Sequence, residues 1–69
     1  MIGKEKEEPY GNLGIAYQSL DDYRKAIQCH EKHLKIALEL GDRAGEGIAY
    51  ENLGLAYKSL RDNQKAIEY

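Results

Sequence analysis

Residues 10–29 read YGNLGIAYQSLDDYRKAIQC, and residues 50–69 read YENLGLAYKSLRDNQKAIEY. Laid over one another at an offset of 40 residues, the two stretches agree at 12 of 20 positions. The matched pairs are Tyr10/Tyr50, Asn12/Asn52, Leu13/Leu53, Gly14/Gly54, Ala16/Ala56, Tyr17/Tyr57, Ser19/Ser59, Leu20/Leu60, Asp22/Asp62, Lys25/Lys65, Ala26/Ala66 and Ile27/Ile67. Repetition at this density makes each stretch one copy of a supersecondary unit that buries its apolar face against its neighbours. In the second copy Tyr50, Leu53, Tyr57 and Leu60 step by three, four and three residues, the spacing of one helical face. This is helix A. Tyr23, Ile27, His30, Leu34 and then Ala37 or Leu38 step in the same way and form helix B.

Turns separate these helices. Asp21-Asp22 and Arg61-Asp62 stand between A and B in the two copies, with an aspartate placed to accept hydrogen bonds from the unpaired N–H groups that open helix B. Turns this short make consecutive helices antiparallel neighbours. At Leu40-Gly41-Asp42, glycine is placed to end helix B in a left-handed conformation and aspartate to cap the next helix. The predicted architecture is all-α, antiparallel helix pairs in the order A, B, A, partial B. An N-terminal segment covers residues 1–8, of which 1–6 are expected to fray. The first repeat covers 9–40, with helix A over 9–20 and helix B over 22–40. The second covers 43–69, with helix A over 43–60 and a helix B that opens at 62 and is cut short at Tyr69. Pro9, with its fixed φ and missing N–H, suits the first turn of the first helix.

Composition narrows the function. Charged residues make up 32% and apolar residues 42%, with one proline, which is the balance of a soluble helical protein. Ten basic against twelve acidic residues give a net charge of −2, which offers nothing to nucleic acid or to an anionic membrane. No stretch approaches the roughly 20 apolar residues that span a bilayer. A single cysteine, Cys29, cannot form an internal disulfide, and this points to a reducing, cytoplasmic setting.

Glycine within a helix costs about 1 kcal/mol relative to alanine, so Gly14 and Gly54 call for close packing as compensation. Ala26 and Ala66 are expected to face them, with Leu13, Tyr17, Leu20, Ile27 and Leu34 filling the space on either side. Gly45 and Gly47 are read as close contacts with the preceding helix B. Cys29 and His33 share a helix face at i, i+4 and have the spacing of a ligand pair, but two ligands make no site and the counterpart of Cys29 is Tyr69. The packing reading is therefore preferred, with His30 partly buried and His33 at the surface. No catalytic residue, cofactor or metal is expected, and the chain is not read as an enzyme.

The patterns Tyr10-x2-Leu13-Gly14-x2-Tyr17 followed by Ala26, and Tyr50-x2-Leu53-Gly54-x2-Tyr57 followed by Ala66, resemble the tetratricopeptide signature, with tyrosine where it prefers tryptophan. The resemblance covers residues 10–69. The period of 40 exceeds the usual value of about 34, and the additional residues lie around the B-to-A turn. With the GNLG, HEKHL and LGDRAGEG runs, this is similar to the long repeats of Pins/LGN-type G-protein signalling modulators. The resemblance implies a right-handed solenoid fragment and a scaffold that binds peptide segments of partner proteins through the concave face of its A helices. That face would carry Gly11, Asn12, Ile15, Gln18 and Ser19 from the first copy, and Glu51, Asn52, Leu55, Lys58 and Ser59 from the second. Ile15 and Leu55 stand where carboxylate-clamping arrays carry asparagine, so the implied ligand is a peptide with anchored apolar side chains rather than a clamped terminus. An alternative is a structural spacer or self-associating element, because a shortened last helix leaves an apolar stripe without cover.

Overall fold

The computed structural model describes residues 7–68, and the side chains of residues 9–64 among them. The expected fraying of residues 1–6 lies outside the described residues. The chain forms α1 (Glu7–Ser19), α2 (Tyr23–Leu40) and α3 (Arg43–Glu68), and no strand occurs among the described residues. Helix α2 packs broadly against both others, whereas α1 and α3 barely meet. Pro9 falls in the first turn of α1, where an absent N–H costs no intrahelical bond.

Two turns built alike reverse the chain. At the end of α1, Asp22 N–H donates to the Tyr17 carbonyl at 2.9 Å and Asp21 N–H to the Gln18 carbonyl at 3.0 Å. At the end of α2, Asp42 N–H donates to the Ala37 carbonyl at 2.9 Å and Gly41 N–H to the Leu38 carbonyl at 3.2 Å. Both are the Schellman arrangement, which needs a left-handed residue just past the helix. Asp21 supplies it with φ 62° and Gly41 with φ 70°. The following aspartate then caps the next helix: Asp22 Oδ1 accepts from Lys25 N–H at 3.3 Å, and Asp42 Oδ1 from Gly45 N–H at 3.0 Å. Tyr23 Oη also donates to Asp21 Oδ1 at 2.8 Å, steadying the strained residue.

The third turn, expected at Arg61-Asp62, does not form. Helix α3 runs without a break through these residues to Glu68, so no separate second helix B is present among the described residues. The physical reason lies in position 61. Turns at 21 and 41 use aspartate and glycine, the kinds of residue that enter the left-handed region at low cost, while position 61 carries arginine. Continuing the helix keeps its i→i−4 bonds and avoids that penalty. Replacing Arg61 with glycine removes the steric cost of the turn and weakens the continuous helix by about 1 kcal/mol. In Arg61→Gly, helical NMR shifts and amide protection are expected to end near Leu60 rather than run past it. Unaltered shifts through residue 63 would show that residue 61 does not govern the turn.

Packing concentrates on α2. Ala26, Ile27, Ile36 and Ala37 are buried on it, and Ala49, Leu53 and Ala56 on α3. Ile27 meets Leu53 and Ala56, with Leu34 and Leu60 packed beside them. Toward α1 the interface is different in kind. Gly14 lies directly against the imidazole of His30, and Gly11 against that of His33. The partner of Gly14 is thus a histidine ring rather than the expected Ala26, and Ala66 is outside the described side chains. His30 is fully buried and His33 is 6% exposed, so His33 is not the surface residue that the sequence suggested. One turn apart on α2, both rings point to the face that the two α1 glycines leave open. Leu13 and Leu20 do not fill this interface and remain 45% and 76% exposed, because α2 meets the glycine side of α1. Gly47 and Gly54 have open space where a side chain would stand, so the close contact expected of Gly47 is absent.

Candidate functional site

Because α1 and α3 flank α2 without closing on each other, a groove runs between them. Its wider part, about 380 Å³, is walled by Gly11, Asn12 and Ile15 from α1 and by Ala44, Gly45, Ile48 and Asn52 from α3, with His33 and Asp42 also lining it. A second part of about 340 Å³ is lined by Ile15, Gln18, Ser19, Asn52 and Leu55. Ile15 and Asn52 border both and join them into one surface. Of the residues expected on the concave face, Gly11, Asn12, Ile15, Gln18, Ser19, Asn52 and Leu55 are brought together here. Glu51, Lys58 and Ser59 line neither part; the first two are exposed and the third is half-buried.

The chemistry of the groove is mixed. Ile15 and Leu55 are 51% and 55% exposed, apolar side chains held toward solvent on opposite helices. Asn12 and Asn52, equivalent positions of the two copies, add amides that both donate and accept. The Ser19 hydroxyl is engaged on its own helix, donating to the Ile15 carbonyl at 3.1 Å. Gly11 matters by what it lacks, since a Cβ there would stand 3.3 Å from His33 Nδ1 and separate the ring from the groove. Asp42 is the one carboxylate in the lining, and its Oδ1 is occupied by the Gly45 N–H.

Sequence reasoning missed His33, Asp42, Ala44, Gly45 and Ile48. Ile48 was within reach, because it precedes Asn52 by four residues and Leu55 by seven and so shares their face. The others are turn and floor positions that no face-counting identifies. Elsewhere burial pushes the Cys29 thiol above its usual range, which keeps it protonated and a poor nucleophile. Among the described residues no three His, Cys, Asp or Glu side chains converge to hold a metal ion. Nor is any described helix long and apolar enough to cross a membrane.

A family model described as tetratricopeptide repeat matches residues 6–69. No curated protein and no solved structure matches the chain.

Proposed function

Since the chain belongs to the tetratricopeptide repeat family, whose repeats mediate protein–protein interactions, we propose that it is a non-enzymatic scaffold element that holds an extended peptide of a partner protein in the groove between α1 and α3. The observation that carries this reading is the pair Ile15 and Leu55, two half-exposed apolar side chains facing a common groove with Asn52 between its two parts. Apolar side chains of a peptide would be anchored there, while the amides of Asn12 and Asn52 pair with its backbone. The 40-residue period supports a place among the long repeats of the Pins/LGN kind, and the single cysteine supports a cytoplasmic setting. A net charge of −2 supports protein rather than nucleic-acid partners.

The experiment is to select binders from a displayed library of random peptides and to measure their affinity for the wild-type chain and for four variants. Ile15→Ser and Leu55→Ser are each expected to weaken the selected peptides about tenfold or more, the range in which anchor residues act. Glu51→Ala and Lys58→Ala, outside the groove, should leave affinity within about twofold. Circular dichroism checks that helicity is unchanged, because all four side chains are exposed. Affinity equal to the wild type in all four variants would sink the reading.

A further inference from the structure

Ser19 and Ser59 occupy equivalent positions of the two copies, and each is followed three residues on by an aspartate, Asp22 and Asp62. The fold sets them apart. Ser59 lies inside the unbroken α3 and is half-buried. Ser19 is the last residue of α1 and is exposed, with its hydroxyl donating to the Ile15 carbonyl at 3.1 Å, a bond at the surface that rotation about χ1 releases. The chain then turns through Asp21 and Asp22, so two carboxylates follow the hydroxyl within three residues, and both stand toward solvent, Asp21 exposed and the Asp22 side chain 40% so. In the second copy the counterpart of Asp21 is Arg61, of opposite charge.

We infer that Ser19 is a phosphorylation site read by an acid-directed serine kinase, and that its phosphate closes the groove between α1 and α3. Recognition needs a serine that can leave its helix, followed by carboxylates that meet lysine and arginine side chains of the kinase. The last turn of a helix opens at low free energy, because its final carbonyls have no partner within the helix. In the transfer, Ser19 Oγ attacks the γ-phosphorus of ATP. The bond from that phosphorus to the β,γ-bridging oxygen breaks, ADP leaves, and the hydroxyl proton passes to the catalytic base of the kinase. The product carries about two negative charges at the C-terminal end of α1, beside Asp21 and Asp22, where the helix dipole is also negative. Charge repulsion therefore loosens the last turn. Ser19 also lines the groove together with Ile15, Gln18, Asn52 and Leu55. A phosphate among them holds its hydration shell over Ile15 and Leu55 and keeps the apolar anchors of a peptide out. Closure rests on the reading of the groove as a peptide site; the modification does not.

The test incubates the folded chain with an acid-directed serine kinase and magnesium ATP, and locates the phosphate by fragmentation mass spectrometry. One phosphate is expected, on Ser19, in the wild type and in Ser59→Ala, and none in Ser19→Ala. Asp21→Asn with Asp22→Asn keeps side chains that serve in a turn and as a cap, and should take up phosphate several-fold more slowly. Phosphorylation is expected to weaken the peptides selected for the groove about tenfold or more, while the same treatment leaves Ser19→Ala at the affinity it had before. A folded chain that takes no phosphate on Ser19 overturns the site, and a peptide copying residues 14–25 that is modified in the same reaction would trace the failure to the fold. Phosphate on Ser59 in place of Ser19 overturns it as well. A phosphorylated chain that binds the selected peptides as tightly as the unmodified one overturns closure. If no library peptide binds the unmodified chain, the groove reading has failed, and the mass measurement still decides the site.

Discussion

Gly14→Ala is expected to destabilise the chain by about 1–3 kcal/mol, while Gly54→Ala, the same substitution at the matching position of the second copy, stabilises it by up to about 1 kcal/mol. Alanine at either site gains helix propensity, so propensity alone predicts two stabilised variants. Contact geometry separates them. A Cβ on Gly14 would stand 2.5 Å from His30 Cε1 and 2.8 Å from each ring nitrogen, whereas one on Gly54 meets nothing within 4 Å. The ring has no room to give way, because His30 has no exposed surface. Relief must come from parting α1 from α2, the only helix against which α1 packs broadly. A chain of 69 residues buries a small core and has few kcal/mol to lose, so Gly14→Leu should leave α1 undocked altogether. Urea unfolding followed by circular dichroism measures both signs. The double variant Gly14→Ala, His30→Ala should recover part of the loss, since the two side chains would no longer compete for one space. If both glycine-to-alanine variants gain stability alike, His30 does not occupy the space over Gly14.

The same glycine pair shows what the sequence makes legible and what it does not. Helical periodicity, the aspartate caps and Gly41 are local signals, and α1, α2, their turns and the start of α3 can be read from them. The identity of Gly14 and Gly54 predicts one role for both, and this fails because a role is set by what lies across the interface. Helix α2 covers Gly14, and among the described residues nothing covers Gly54. The third turn fails for a neighbouring reason. Asp62 repeats the capping residue, yet the turn is decided by the residue before it, where arginine replaces aspartate or glycine. A comparison of positions 21, 41 and 61 alone would have shown this. In the groove, Ile15, Asn12, Asn52 and Leu55 follow from counting one face of helix A, but the His33 floor does not. It depends on Gly11 and on which side of α2 meets α1, a tertiary choice that periodicity leaves open.

Lowering the pH from 7.5 to 5.5 is expected to destabilise the wild-type chain, and His30→Leu should remove most of that loss. His30 is fully buried, and neither ring nitrogen has a hydrogen-bond partner. Burial holds its pKa below the ordinary value of 6.5, and the neighbouring His33 adds to this. The groups around it give a proton no welcome. From α1 the ring meets Gly14, which has no side chain to pair with a proton. Between the depressed folded pKa and 6.5 the unfolded chain binds more protons than the folded one, so stability rises with pH across that window. The contribution is complete above 6.5 and is lost as the pH falls below it. Thermal unfolding at half-unit steps from pH 7.5 to 5.5 gives the slope. A wild-type slope that matches that of His30→Leu would mean the ring can be protonated in place, and that α1 does not seal it from water. A slope confined to the wild type instead links protonation of His30 to unfolding, since the ring is buried where α2 meets the glycine side of α1.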